Sequence, residues 1–339
     1  MLSVRPATAN DLEAICNLAE LAGPGFTSLA VGRNALEARL TRSNKSFSGP
    51  DEISPDHVYI LLLEDSEKNE VIGMSAIKAQ IGVRDPYFNF RILNVAQKSA
   101  VTGSRFDMQV LVLVNENGGA TEVGSLFVKN GYRGSGAGRL ISQARYMLMV
   151  SSPQRFGKTV VSELRGQVSE SGDSPFWDGL GRKFFRMDFN EADKISAEKD
   201  NQFILDLMPR HPIYVDLLPE AAKEVIGKTH KDGAGAKRYL EAEGFRYDGV
   251  IDIFDAGPCL NAPLSDLRTI RDSRRLELIQ RQPNKDGSLL ALISNDNLKA
   301  FRCILTQISF EGNRVEIDKQ GLQLLGLASG DSARVWIKR

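Results

Sequence analysis

The sequence predicts a mixed α/β (α+β) chain of more than one packed unit, on three observations. Period-2 apolar runs alternate with amphipathic helical stretches, a glycine-rich turn lies between a strand and a helix near mid-chain, and the last sixty residues carry short apolar runs punctuated by glycine and asparagine. At 339 residues the chain exceeds the usual size of one domain. Hydrophobic residues at 42% and charged residues at 25% are ordinary globular values.

The opening LSVRP reads as a strand, and ANDLEAICNLAELAG as a helix with Asn10 as its cap and Leu12, Ile15, Leu18 and Ala19 at helical spacing. A second helix is expected over Arg33–Arg42. Strands over Val58–Glu64 and Val71–Ile81, separated by DSEKN, read as a hairpin. Residues 83–114 are weakly patterned apart from DPYFNF and a strand-like FDMQVLVLVN. From Thr121 the pattern sharpens: EVGSLFV is a strand, NGYRGSGAG a turn, RLISQARYMLMVSS a helix and KTVVSEL a buried strand. Helices are expected from Ser174, with Pro175 in the first turn, and over Pro219–Gly227. GAKRYLEAEGFRYDGVIDIFD then reads as helix, glycine stop and strand. LLALIS, FRCILTQIS and ARVWIK suggest a small β-rich appendage.

Composition excludes several classes. Lysine plus arginine equals aspartate plus glutamate at 43 each, so the global basic footprint of a nucleic-acid binder is missing. Cys16, Cys259 and Cys303 are odd in number and far apart, with no clustered histidines, which supports neither a disulfide framework nor a metal site. No apolar run approaches the roughly 20 residues that span a bilayer, and Met1–Ala9 has no basic-then-apolar leader pattern. The expectation is a cytoplasmic protein with no membrane partner.

The chemistry-bearing feature is the turn containing Arg133, Gly134, Ser135, Gly136, Ala137, Gly138 and Arg139. The first N–H groups of a helix have no internal partner and lie at the positive end of its dipole, so a pyrophosphate fits there. Glycines let the backbone approach the phosphate oxygens, and Arg133 and Arg139 add charge. A Walker loop would need Lys-Ser/Thr where Arg139-Leu140 stands. A dinucleotide fingerprint would need G-x-G-x-x-G on a first strand, and the spacing here is G-x-G-x-G in mid-chain.

Strand, R-x-x-G-x-G, helix and strand, after a strand, two helices and a hairpin, resemble the coenzyme A signature of the GNAT N-acyltransferase superfamily. The resemblance implies a mixed central sheet, a pyrophosphate on the loop, and a pantetheine arm along the preceding strand at Leu126, Phe127 and Val128. TSL at Thr27–Leu29, LEDS at Leu63–Ser66, DPYFNFR at Asp85–Arg91, SPFW at Ser174–Trp177, LMPRHPIY at Leu207–Tyr214 and GFRYDGVIDIFDAGP at Gly244–Pro258 resemble the arginine N-succinyltransferase family.

That resemblance implies succinyl transfer from succinyl-CoA to the α-amine of L-arginine, with no metal, in arginine catabolism. Some relatives occur as paired, diverged subunits, so a homo-oligomer or a paired subunit is expected. The runner-up functions are an acetyl-CoA-dependent N-acetyltransferase of another small amine and a non-catalytic CoA-binding subunit. The expected division is a GNAT-like core over 1–165, a helical insertion or second half with closing strands over 166–270, and a β-rich segment over 271–339.

Proton handling is needed because an α-ammonium is no nucleophile until deprotonated. The histidines are His57, His211 and His230. His230 matches the family's proposed proton donor; on the residues alone it reads rather as an exposed loop histidine near a helix C-terminus. A guanidinium needs carboxylates, for which Glu163, Asp252 and Asp255 are candidates. Thr27, Ser28 and Arg91 are candidates for the succinyl carboxylate.

Overall fold

The structure is a computed structural model describing residues 1–23, 32–169, 172–198, 202–208, 210–284 and 287–338. The chain forms two compact units. The first comprises Met1–Gln80, Thr121–Lys158 and Pro263–Arg339, and the second Ile81–Ala120 and Thr159–Ala262. These units are discontinuous in sequence, unlike the three consecutive segments 1–165, 166–270 and 271–339 expected from the sequence.

In the first unit the strand Leu2–Pro6 leads into a 3-10 turn, Ala9–Asp11, and the helix Leu12–Ala22. The turn is organised by Asp11 rather than by the expected cap Asn10. The Asp11 carboxylate accepts from the Thr8 N–H and hydroxyl, both at 2.7 Å, and from Arg5 at 2.7 and 2.8 Å. The next helix runs Arg33–Ser48, past the expected end at Arg42. Ser43 and Ser46, which hide its apolar period, are buried and useful: their hydroxyls accept the N–H groups of Ile60 (2.9 Å) and Val58 (3.0 Å).

Both helices cover a sheet in which Val58–Asp65 pairs antiparallel with Leu2–Pro6 and with Glu70–Lys78, and the latter with Thr121–Val128. Ile15, Leu18, Leu36, Leu40, Ile60 and Leu62 form the core. The C-terminal strands extend this sheet, since Cys303–Glu311 pairs with Leu2–Pro6 through Ser3 and Ile304. The expected appendage is therefore part of the same unit as the N-terminus. Two of its strands, Arg274–Gln280 and Arg314–Ile317, are parallel. Its helix, Lys319–Leu325, is capped by Asp318 and ended by left-handed Gly326.

In the second unit a long hairpin, Asn89–Lys98 with Arg105–Val114, occupies the stretch whose pattern was weak. Its outer half has no buried face: Leu93, Val101 and Phe106 are 45%, 96% and 59% exposed. Without a buried face the apolar alternation that announces a strand is not required. Arg246–Asp252 pairs with the hairpin's inner end and with Pro258–Pro263. Helical segments then supply the core, where the Trp177 ring stacks on Phe254 at 5.5 Å and lies 5.2 Å from Phe185. The helix expected from Ser174 is present, running over residues 175–185 with a π-helical middle over Trp177–Gly181, and a Cβ on Gly181 would strike the Trp177 ring. No helix among the described residues is long and apolar enough to cross a membrane.

Candidate functional site

The glycine turn lies in the first unit. The strand Thr121–Val128 keeps register with Glu70–Lys78 at Val123–Ile77 and Gly124–Ala76, then resumes at Phe127–Met74. Two residues, Ser125 and Leu126, thus face one, Ser75, and Ser125 adopts φ +51°. This β-bulge interrupts the ladder at Leu126, one of the three residues expected along the pantetheine arm, whereas the other two, Phe127 and Val128, pair with Met74 and Gly73. A 3-10 turn, Asn130–Tyr132, comes next, its Tyr132 hydroxyl donating to Asp65 at 3.0 Å and accepting from the Lys68 ammonium at 3.0 Å.

Gly134 and Gly136 then take φ of +85° and +93°, a region that side-chain-bearing residues avoid. Gly136 caps the helix Ala137–Ser151, its carbonyl accepting the N–H of Leu140 at 2.9 Å. The N–H groups of Ala137, Gly138 and Arg139 are the first-turn donors that a helix cannot satisfy internally. Arg133 is exposed, and neither it nor Arg139 makes an ion pair among the described residues. The buried face of this helix, Leu140, Ile141, Ala144, Met147 and Leu148, fixes the turn to the sheet.

The second unit gathers His230, Glu163, Asp252 and Asp255. Three backbone segments meet there. Gly166 forms a β-bridge with Thr229, His230 N–H donates to the Arg165 carbonyl at 2.8 Å, and Gly227 N–H donates to the Ala256 carbonyl at 2.9 Å. The buried Asp255 carboxylate accepts the N–H of Gly166 at 2.7 Å and that of Gly257 at 2.8 Å. A Cβ on Gly166 would strike the Asp255 carbonyl, and one on Gly257 the Leu164 carbonyl, so both positions demand glycine. Asp252 accepts from the N–H groups of Phe254 and Asp255 at 2.7 and 2.8 Å. Glu163 accepts from Asn89 at 2.7 Å, and Asn89 from Asn117 at 3.1 Å.

Electrostatics in this cluster run against ionisation. Desolvation, with the charges of Asp255 and Glu163, pushes Asp252 well above the ordinary carboxylate range. Desolvation also raises Asp255. Asp193, on the helix Phe189–Glu198, is pushed up to about 7 by desolvation and the Asp255 charge, against the pull of Arg165. His230 is lowered by desolvation and by Arg165, so its imidazole is neutral at pH 7. Its Nδ1 accepts from the Asp232 N–H at 3.3 Å and lies 3.5 Å from the Asp232 carboxylate.

Arg91 is occupied within the chain: it pairs with Glu116, donates to the Asp248 carbonyl at 2.9 Å and lies 3.3 Å from the Asp248 carboxylate. Thr27 and Ser28 lie outside the described residues. Sequence reading did not single out Asp193, Arg165, Asn89 or the glycines 166 and 257. Asp193 sits in a polar helix with no motif around it. The paired requirement for glycine at 166 and 257 arises from segments ninety residues apart. Among the described residues no group of three or more His, Cys, Asp or Glu is placed to hold a metal ion.

Comparison with known proteins bears on the whole chain. Residues 2–269 match the family described as arginine N-succinyltransferase beta subunit, and residues 274–336 its C-terminal domain. The arginine N-succinyltransferase of Yersinia pestis (strain Pestoides F) is 37% identical over 342 residues, covering 99% of this chain and 97% of that protein. That of Escherichia coli (strain 55989 / EAEC) is 37% identical over 335 residues, with 99% and 97% covered. The solved structure of arginine/ornithine succinyltransferase subunit AI from Pseudomonas aeruginosa superimposes with a TM-score of 0.89 at 33% identity, covering 99% of this chain and 98% of that one. Family models, relatives and fold agree from end to end, and the chain belongs to the arginine N-succinyltransferase family, an acyltransferase family.

Proposed function

We propose that this chain transfers the succinyl group of succinyl-CoA to the α-amine of L-arginine, releasing CoA and N2-succinylarginine. The observation that carries the reading is the bulged strand, left-handed Gly134 and Gly136, and helix Ala137–Ser151, within a chain similar over its length to arginine N-succinyltransferases. The amide groups of Ala137, Gly138 and Arg139, with Arg133, suit a pyrophosphate. The interrupted ladder at Ser125–Leu126 suits an arm that hydrogen-bonds to backbone.

The amine attacks the thioester carbonyl, the C–N bond forms as the C–S bond breaks, and one proton leaves the nitrogen while the thiolate takes one up. A His230 whose proton affinity is lowered by burial and Arg165 suits delivery of a proton to the departing sulfur. Arg91 is less suited to the succinyl carboxylate than its sequence position implied, because Glu116 and Asp248 already engage it.

Thiol release, followed with a chromogenic disulfide reagent, tests this with succinyl-CoA or acetyl-CoA against L-arginine, L-ornithine, L-lysine and spermidine. Release confined to succinyl-CoA with arginine is the expected result. Ornithine is the natural second acceptor, since the Pseudomonas aeruginosa relative is named for both amines. Release with acetyl-CoA alone would sink the succinyl assignment, and CoA binding without release from any pair would mark a non-catalytic subunit. His230→Gln is expected to lower kcat by about 10²–10⁴-fold with CoA binding retained.

A further inference from the structure

We propose that Asp255 is a positioning residue for His230, acting through the backbone that its carboxylate clamps. The inference rests on the reading that His230 handles a proton, and it adds what holds that histidine. His230 itself sits on a loop that begins after the helix Glu220–Val225 and ends at the 3-10 turn Lys231–Gly233. Within the loop the ring is oriented by the Asp232 N–H on its Nδ1, and the placement of the loop itself must come from outside it.

The loop is instead tied at three points within the second unit: Gly227 to Ala256, Thr229 to Gly166, and His230 to Arg165. Two of these ties end on residues 165–166, and the third on residue 256, inside the turn 255–257. Asp255 joins these two segments, one carboxylate oxygen on Gly166 N–H and the other on Gly257 N–H. Ala256 holds a left-handed φ of +56°, a conformation that an alanine keeps only where its surroundings impose it. The glycines at 166 and 257 allow the two backbones to approach closely enough for both bonds. One buried carboxylate therefore sets the spacing of two strand ends, and the histidine hangs from both. Burial disfavours a charge at Asp255, while the Gly257 and Gly166 N–H groups, a hydrogen bond with Asp252 and the charge of Arg165 favour it, so a carboxylate kept there at the cost of desolvation needs a reason beyond filling space.

The test is Asp255→Asn in the full chain, assayed with succinyl-CoA and L-arginine. The amide keeps the shape and one acceptor but sets an NH2 against Gly166 or Gly257, donor facing donor. We expect kcat to fall by about 10- to 100-fold with KM for both substrates nearly unchanged. The His230 imidazole should report the same change without turnover. With three histidines in the chain, its resonance is assigned by its loss in His230→Gln. Its titration midpoint, set by Arg165, Lys231, Asp232 and Asp255, should move in Asp255→Asn, and the matching limb of the kcat–pH profile with it.

A folded Asp255→Asn protein with an unchanged His230 titration, or with an unchanged kcat, would overturn the proposal. Should the variant not fold, exchange in the unaltered protein decides: the Gly166 and Gly257 amides should be strongly protected, and rapid exchange at either would overturn the clamp. If His230→Gln retains full turnover, the failure belongs to the functional reading, and the imidazole titration still decides whether Asp255 positions the ring.

Discussion

Arg155 in the first unit and Asp255 in the second are both buried charged side chains, and their partners differ in kind. The Arg155 guanidinium, 2% exposed, donates to the carbonyls of Ser46 (3.0 Å) and Gly49 (2.7 Å), to the Tyr59 hydroxyl (3.0 Å) and to Asp51 (2.9 Å). Desolvation pulls its pKa down, but the Tyr59 and Asp51 hydrogen bonds outweigh this and hold it above its ordinary value. Asp255 also has its oxygens filled, by two backbone N–H groups, yet its surroundings add Asp252 and Asp193. The first arrangement locks a charge in place, and burial together with that charge lowers the proton affinity of the neighbouring His57. The second gathers acids whose proton affinities are driven upward, the pattern found where protons are exchanged.

The widest gap between the two should appear on removing the cation. Arg155→Ala strands two carbonyls and a buried hydroxyl and is expected to cost about 3–5 kcal/mol, read from the midpoint and slope of urea unfolding. A loss below about 1 kcal/mol would mean that the helix Arg33–Ser48 does not depend on this residue, and the contrast with Asp255 would lose its structural half.

An effect of comparable size and opposite sign is expected at Asp193. Its pKa of about 7 in the folded chain exceeds the ordinary carboxylate value of 3.8, so between those values the native state binds more proton than the unfolded one. Stability is then lost as pH rises from about 4 to about 7, and is flat above. Asp193→Asn removes this dependence. The variant should match the parent near pH 4 and become progressively more stable than it up to pH 7, in urea titrations at a series of pH values. Parallel curves for the two proteins would show that neither burial nor the Asp255 charge raises Asp193.

These two regions also differ in how far sequence could reach. The geometry of the glycine turn was legible because its parts are consecutive: a strand, R-x-x-G-x-G and an amphipathic helix. The bulge at Ser125–Leu126 was not, since it depends on which residues of Glu70–Lys78 lie opposite. His230, Glu163, Asp252 and Asp255 could each be named as chemistry-bearing, but the roles expected for the acids were guanidinium contacts. In the structure Asp252 and Asp255 accept backbone N–H groups and Glu163 accepts from Asn89, and the Gly166 and Asn89 partners come from segments far apart in the chain. The same cause hid the end of the helix Arg33–Ser48, whose buried serines serve a neighbouring strand, and joined the expected appendage to the N-terminal strand through Ser3 and Ile304.

The smallest effect sharpens what holds Arg155. Asp51 is its formal counter-ion, but the Asp51 side chain is 63% exposed, and the guanidinium's other three acceptors belong to the buried frame. An exposed carboxylate is solvated whether or not it is paired, and solvent screens its attraction for the cation. Asp51→Ala should therefore cost no more than about 1 kcal/mol, and the cost should shrink as salt is raised. Arg155→Ala should keep most of its larger penalty at the same salt, because carbonyls stranded in the interior are not rescued by ions in solution. Equal penalties for the two variants would mean that the ion pair, rather than the neutral acceptors, holds the buried guanidinium, and the first unit would then depend on charge pairing in a way that the Asp255 region does not.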